Sequence, residues 1–228
     1  MSVSGSVDYN LTATEIVEAA FAVLGVAQEG ETMTARMLSD GLRALNLMLK
    51  TWGTNEHLWL KTDGTVTMVA SQAAYTLSSP KPMRVLDVTR VTSDGIETPL
   101  NELSWREYSD LPNKTGSPSI PVSYYYDPQL STGTLYLWPA PSSTTVADFT
   151  MDMTYLRRIS DMDASNNDLD MPQEWLETVQ WNLAKRLMTQ YPVNDPNLAQ
   201  MVIATAVELL DQLRGWDNET ASIYLQPA

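Results

Sequence analysis

Residues 170–188, DMPQEWLETVQWNLAKRLM, return the chain to a helical pattern after a long region with the period of β-strands. Apolar side chains recur there every three or four residues, as on one face of an amphipathic helix. They are Trp175, Leu176, Val179, Leu183, Leu187 and Met188. Asp170 is placed to cap this helix, with Pro172 in its first turn and Gln173 completing a box-like cap. The stretch predicts a helix that must bury this face against other elements.

Two more helices are predicted near the N-terminus. Residues 12–15, Thr-Ala-Thr-Glu, match a capping box, and Gly25 is placed to end the helix that follows. The next helix begins near Thr32 or Thr34, and Gly53 stops it. Its apolar stripe consists of Leu38, Gly41, Leu42, Leu45, Met48, Leu49 and Trp52.

A last helix follows the stretch quoted first. Asp195 and Pro196 are placed to cap it, and Gly215 is placed to end it. Residues 217–228 then form a polar tail, whose apolar cluster is Ile223, Tyr224 and Leu225. Neither the N-terminal nor the C-terminal helix pair can hide its apolar stripe alone, so we expect the four helices to pack together.

Between the two helix pairs the apolar period changes to two, which is typical of strands. The predicted strands are 65–69, 74–77, 85–91, 96–100, 122–126, 134–139 and 146–156. Residues 74–77 are placed to pair with 65–69, and Asp94-Gly95 is a typical hairpin turn before 96–100. Ser104 is placed to open a short helix within this region.

The predicted fold class is therefore α+β, a helical bundle formed by the N- and C-terminal helices with an inserted antiparallel β domain, either a small sandwich or a barrel. The bundle comprises residues 1–60 and 159–228, and the insert comprises 61–158. Charge follows this division, because the two bundle segments hold 3 basic against 7 acidic and 3 against 11, whereas the insert holds 8 against 10.

Composition excludes several functional classes. The 228 residues carry 28 acidic and 14 basic side chains, a net charge of −14, which argues against general affinity for nucleic acid. Cysteine is absent, which excludes disulfides, thiolate metal sites and cysteine nucleophiles. The single histidine, His57, supports neither a metal site nor a catalytic triad. Since no signal peptide, membrane span, nucleophile elbow or phosphate loop is recognisable, we expect no enzyme, no cofactor and no membrane association.

The acidic loop over 160–170 holds the densest polar group. Asp161, Asp163, Ser165 and Asn167 have the spacing that opens an EF-hand calcium loop. The match then fails, because the sixth position is asparagine instead of glycine and the twelfth is proline instead of glutamate. A solvated loop leading into a helix is the interpretation we favour, and we expect no metal there.

Aromatic and basic side chains supply the candidate contact residues of the insert. Alternate residues of a strand share one face, so Tyr124 and Tyr126 face one way and the tyrosine between them faces the other. Such rings are either core residues, part of a protein interface or, with Trp138, a sugar-stacking platform. The candidate residues for a subunit or tail interface are Arg157, Arg158, Tyr124, Tyr126 and Trp138. The two arginines can also neutralise the acidic loop beside them.

The order of parts resembles that of the head-to-tail connector, or adaptor, proteins of tailed bacteriophages. The resemblance includes the tail tubular and packaged-DNA-stabilising proteins of short-tailed phages. It lies in the helix pair that begins at 12–20 and ends at 46–52 (Asn-Leu-Met-Leu-Lys-x-Trp), in the β insert, and in 170–187. In that last segment Pro172-x-x-Trp175 is followed by Asn-Leu-Ala. The long insert departs from the smallest adaptors, which are nearly all helical, and agrees better with the tail tubular type.

The resemblance implies a structural virion protein that forms a ring, typically of twelve copies, below the portal at the head–tail junction. Its implied partners are the portal protein, neighbouring copies and a tail or nozzle protein, and DNA passes through the channel without specific binding. It also implies assembly in the host cytoplasm and docking of the C-terminal segment on the portal. The residues that we expect to dock are Trp216, Ile223, Tyr224 and Leu225. A channel lined by carboxylates repels DNA phosphates, which gives the acidity a purpose.

Two other functions remain open at this point. A soluble glycan-binding or hydrolytic β module would use the aromatic side chains of the insert. Another phage neck component, such as a tail terminator, would share the location but occupy a different position.

Overall fold

The computed structural model describes residues 5–26, 33–54, 58–78 and 80–216. The chain divides into two compact units, with boundaries between Leu58 and Trp59 and between Arg158 and Ile159. The unit formed by both ends of the chain is helical, and the other is built mainly of strands. The predicted α+β class, with a β region inserted between helices, is confirmed.

The elements follow the chain in this order. The helices are α1 (Ala13–Val23), α2 (Ala35–Trp52), α3 (Trp105–Asp110), α4 (Ser143–Asp148), α5 (Leu176–Leu187) and α6 (Pro196–Trp216). The strands are β1 (Lys61–Val66), β2 (Ala74–Leu77), β3 (Arg84–Thr92), β4 (Glu97–Pro99), β5 (Asn101–Glu102), β6 (Ser123–Pro128), β7 (Gly133–Trp138) and β8 (Phe149–Leu156). Short 3-10 turns occupy Leu58–Leu60 and Gln173–Trp175.

Side-chain caps define the helix starts that the sequence predicts. Thr12 and Glu15 form the predicted capping box, in which the Thr12 backbone N–H donates to Glu15 Oε2 at 2.8 Å. Gly25 follows α1 with a φ of +66°, a conformation that favours glycine. Thr34 caps α2 by accepting a hydrogen bond from the backbone of Met37. The caps lie where the sequence places them because each satisfies otherwise free backbone donors.

In the helical unit α5 packs against α1, α2 and α6. The fully buried side chains of this core include Ile16, Val17, Phe21, Leu45, Met48, Trp175, Val179, Leu183, Leu187 and Val202. The rings of Trp52 and Trp175 lie 5.9 Å apart between their centroids. Asn182, also buried, donates from Nδ2 to the Ala206 carbonyl at 2.9 Å, and so links α5 to α6. The expected packing of N-terminal on C-terminal helices is present.

Two predicted helix ends differ from the structure. Asp170 does not cap the helix, because the cap position is Pro172 and no side chain bonds there. Its Oδ2 instead accepts a hydrogen bond from the Ser160 backbone at 2.9 Å, across the acidic loop. Gly215 does not end α6, which continues through it to Trp216, the last described residue.

The β unit contains two four-stranded sheets, with strand orders β1-β8-β3-β4 and β2-β7-β6-β5. Side chains from both sheets form one buried core that includes Val66, Val85, Val88, Met151 and Met153 from the first and Tyr75, Tyr124, Leu135 and Leu137 from the second. This arrangement is a sandwich. It is not wholly antiparallel as predicted, because the two-residue β5 runs parallel to β6.

Strand pairing corrects two further predictions. Residues 74–77 do not pair with 65–69, because β2 pairs with β7 and β1 pairs with β8, so that Lys61 lies opposite Leu156. The predicted strand over 146–156 begins only at Phe149, since Ser142 accepts a hydrogen bond from Thr145 and starts α4. The first and last strands of the unit are therefore hydrogen-bonded neighbours.

Candidate assembly surfaces

A groove of about 990 Å³ in the helical unit runs between α2 and the C-terminal end of α5. We call it the arginine groove. It is lined by Thr34, Arg36, Met37, Asp40, Arg43, Ala44, Leu47, Arg186, Thr189, Gln190 and Tyr191. Three of the six basic residues in the two bundle segments line this one groove. No sequence motif indicates it, because its residues come from helices far apart in the chain.

Among the described residues that line the arginine groove, Asp40 is the one carboxylate, and it already has hydrogen-bond and ion-pair partners. The Tyr191 hydroxyl donates to Asp40 Oδ2 at 3.0 Å, and the Arg43 guanidinium contacts Oδ1. Burial and this hydrogen bond to Asp40 both raise the pKa of Tyr191. Arg186 is exposed, and within the described part of the chain no carboxylate pairs with it. The groove therefore presents net positive charge in an acidic unit.

One side of α6 is open to solvent. The helix buries Val202 and Ala206 completely, in line with its packing on α5. On the exposed side Ile203 and Val207 are 45% and 44% exposed, and Met201, which lies on a different part of the helix surface, is 50% exposed. Glu208 and Asp211 share this exposed side, which we call the α6 face. An amphipathic helix normally hides such apolar side chains, so a second binding surface is indicated.

The outer surface of the first sheet carries alternating threonine and aspartate side chains. We call it the threonine–aspartate face; its residues are Asp63, Thr65, Asp87, Thr89, Asp152 and Thr154. Each threonine donates to an aspartate, as Thr65 Oγ1 does to Asp152 at 2.9 Å and Thr154 Oγ1 does to Asp63 at 2.8 Å. Hydroxyl donors between like charges reduce their mutual repulsion without changing the net negative charge.

Three tyrosines cluster on the second sheet. Tyr125 and Tyr136 are directly opposite in register, with ring centroids 5.9 Å apart. Tyr108, from α3, stacks on Tyr125 at 5.4 Å, and Lys114 Nζ lies 5.5 Å from the Tyr108 ring centre. Tyr108 is not predictable from the sequence as a member of this cluster, because nothing local connects α3 with this sheet. Since the rings cover one another's faces, the cluster differs from a flat sugar-stacking platform.

The structure separates the candidate interface residues of the insert. Tyr124 is 1% exposed and belongs to the core, where no other chain can touch it. Tyr126 is half-buried, and its hydroxyl donates to the Pro82 carbonyl at 2.6 Å. Burial raises the pKa of Tyr124 and of Tyr126 to about 12 in each case. The position of Tyr124 withdraws it from the predicted interface.

The remaining insert candidates lie at strand ends. Trp138 is the half-buried last residue of β7. Arg157 lies over the Trp59 ring, 5.9 Å from its centre, and Arg158 is exposed. Of the predicted portal-docking residues, Trp216 ends α6, and Ile223, Tyr224 and Leu225 lie outside the described residues, as does His57.

The acidic loop is fastened to the helices through its backbone. The carbonyls of Ser165 and Asn167 accept hydrogen bonds from the first turn of α1, at 3.0 and 2.9 Å. Asp161 pairs with Lys50 of α2. Within the described ranges no group of three or more acidic or histidine side chains is arranged to hold a metal ion. The loop whose spacing resembles the start of an EF-hand is thus attached to the helices by backbone hydrogen bonds and an ion pair.

None of the described helices combines the length and apolar character needed to cross a membrane.

A family model described as SU10 adaptor protein matches residues 11–225. The chain belongs to this family. The match spans both helical segments and the insert, and it confirms the resemblance to phage adaptors and the role of a structural component at the head–tail junction of a phage-like particle. No curated protein matches the sequence.

Solved structures give weaker similarities. A chain in the neck of an empty gene transfer agent particle is 13% identical, with a TM-score of 0.33, and the match covers 78% of this adaptor and 81% of that chain. A chain in the virion of a native gene transfer agent particle is 12% identical, with a TM-score of 0.33 and coverage of 82% and 85%. A chain in a native neck computed with C12 symmetry is 13% identical, with a TM-score of 0.28 and coverage of 87% and 93%. The family assignment does not depend on these matches.

Proposed function

We propose that this adaptor forms a ring of twelve copies below the portal, joins head to tail, and lets the genome pass through its channel. Its membership of an adaptor family carries the proposal. The role is structural, without catalysis, cofactor or membrane contact, and it is exercised in the neck of the virion after assembly in the host cytoplasm.

The exposed apolar surfaces of the helical unit support the proposal that the protein buries them by assembling with other chains. The α6 face exposes apolar side chains along one helix, and Leu47 at the edge of the arginine groove is 61% exposed. Contiguous apolar surface rimmed by charge is typical of protein interfaces. A ring buries such surfaces between copies and leaves other faces for the portal and the tail.

Acidic surface supports passage of DNA without binding. The chain carries −14, and the threonine–aspartate face concentrates carboxylates on one sheet. A negatively charged surface repels phosphates, and it has no cationic side chains to displace the counterions of DNA. DNA therefore passes it without binding. We propose that this face lines the channel.

The channel assignment is tested by reversing charge. Asp63→Lys with Asp152→Lys should make assembled rings retain duplex DNA at low salt and release it at high salt. Asp94→Lys with Asp110→Lys, at two exposed positions outside this face, is the matched control with the same change of charge and should leave retention unchanged. Equal retention by the face variant and the control would contradict the assignment.

The two ends of the proposed ring meet different partners. The C-terminal segment, with Trp216, Ile223, Tyr224 and Leu225, docks on the portal. The insert meets the tail or nozzle protein through Arg157, Arg158, Trp138 and the half-buried Tyr126, while Tyr124 supports these strands from within the core.

Mass measurement with and without portal rings tests the whole proposal. We expect portal to collect twelve copies per ring, counted by native mass spectrometry. Deleting residues 217–228 should abolish this binding, whereas deleting only the last three should leave it intact. If the chain without residues 217–228 binds portal normally, the proposed docking role of the C-terminal segment is wrong. If the wild-type chain never assembles on portal, the proposed ring is wrong.

A further inference from the structure

We propose that the arginine groove of one copy receives the α6 face of the next copy. The inference rests on the proposed ring and deepens it, by naming the two surfaces that join neighbouring subunits.

The groove offers a binding surface of suitable size and chemistry. Its volume of about 990 Å³ and its wall of Met37, Ala44 and Leu47 suit apolar side chains from another helix. Leu47, at 61% exposure, is an apolar side chain with little cover in the single chain. A helix laid in an apolar groove, with anchors three or four residues apart, is a recurrent mode of recognition.

The α6 face offers the matching helix. Ile203 and Val207 are four residues apart and therefore lie on the same side of α6. Ala204 lies on the same exposed side, so an apolar line about one turn long is open. Because α6 packs on α5 through its opposite side, this line is available to another copy without rearrangement.

Charge selects this pairing over others. In the part of the chain that the structure describes, the groove is lined by Arg36, Arg43 and Arg186 and by one acid, Asp40, which leaves an excess of positive charge. Beside the apolar line of α6 lie Glu208 and Asp211, both exposed. Asp211 also pairs with Arg214 at 3.9 Å, so these three side chains together carry one net negative charge. In a unit whose two segments are strongly acidic, two copies repel unless basic and acidic surfaces meet. Complementary charge fixes partner and register more than it adds affinity.

The two surfaces share no residue, which determines the kind of assembly. Contact between unlike surfaces is head-to-tail, and repeating it produces a closed ring when the rotation between copies closes. A two-fold dimer would instead join a surface to itself.

The absence of cysteine makes the contact open to a direct test. Leu47→Cys and Val207→Cys place one thiol in the groove and one on the α6 face, both at exposed positions. An equal mixture of the two full-length variants is assembled on portal rings and oxidised. We expect a covalent product of twice the chain mass containing one chain of each kind, distinguished by a tag. Leu130→Cys, 95% exposed in the β unit, is the matched control and should give no such product with the groove variant.

Each outcome decides the inference. A 47–207 product without a 47–47 or 47–130 product supports it. Rings that assemble normally but yield no 47–207 product overturn it and leave the proposed function standing. A product between Leu47→Cys and Tyr224→Cys instead would identify the C-terminal segment as the occupant, and would also overturn it. A wild-type chain that fails to assemble on portal removes the proposed function, and this inference with it.

Discussion

Replacing Gly41 by alanine tests the closest approach in the helical core. Gly41 lies within α2, facing Val17 of α1, which is fully buried. A Cβ atom at Gly41 would overlap Val17 Cγ1 and would lie 3.1 Å from Cγ2. Valine is restricted to essentially one rotamer in a helix, so its methyl groups cannot turn away. One of the two helices must therefore shift.

The magnitude follows from two opposing effects. Alanine in a helix interior is favoured over glycine by about 1 kcal/mol, whereas overpacking a tight core costs about 1–3 kcal/mol. With a contact this short we expect an overpacking cost of about 2.5 kcal/mol, so Gly41→Ala should lower the free energy of unfolding by about 1.5 kcal/mol. Val17→Ala alone should cost about 2 kcal/mol, from two lost methyl groups and the cavity. In the double variant the clash is gone and the helix gain remains, so the loss should be about 1 kcal/mol.

Urea unfolding, followed by circular dichroism in the helical band, measures all three variants. The double variant should fall short of additivity by about 2.5 kcal/mol, as contacting residues do. Gly215→Ala is the control, because its Cβ would meet no atom within 4 Å, and it should be neutral or stabilising. A Gly41→Ala protein as stable as the control, or additive losses, would refute the packing argument.

Three other perturbations follow from the contacts described. Burial raises the pKa of Tyr124 and Tyr126 to about 12, so the stability gained from keeping them neutral is complete below about pH 10 and is lost as pH rises toward about 12. The tyrosinate absorbance of these two residues, taken as the difference from a variant with both changed to phenylalanine, should rise together with loss of β signal. A rise of this difference near pH 10 in the folded protein would contradict the prediction. Asn182→Ala removes the bond to the Ala206 carbonyl and should cost about 1–3 kcal/mol in urea unfolding. Thr12→Ala removes the α1 cap and should cost about 1 kcal/mol, seen as faster amide exchange in the first turn.

Local signals in the sequence were sufficient for much of the fold. The capping box at Thr12, the start at Thr34 and the hairpin turn at Asp94-Gly95 all involve groups within four residues, so their chemistry is legible without tertiary structure. The helical stripe from Trp175 to Leu187 was equally legible, because its burial follows from period alone.

Contacts between residues far apart in the chain could not be predicted from the sequence. β1 prefers β8 over β2, although both partners have the same alternating pattern, because the whole sandwich decides which edge is adjacent. The β-branched residues that follow Ser142 favour a strand, whereas the Ser142 side chain can cap a helix. The helix α4 forms there. The arginine groove and the place of Tyr108 depend on helices and strands brought together only by folding.

The pairing of β1 with β8 has a consequence for chain entropy in the helical unit. The Arg157 backbone N–H donates to the Leu60 carbonyl at 2.9 Å, so the chain returns beside the place where it departed. A flexible connection of this length would carry a loop-closure cost that grows with the logarithm of its length. Once the β unit is folded, it connects the two helical segments as a short, nearly rigid link, because its two ends are held about one strand spacing apart. Changes of length inside the β unit that keep this pairing should therefore leave the helical unit's stability almost unaltered.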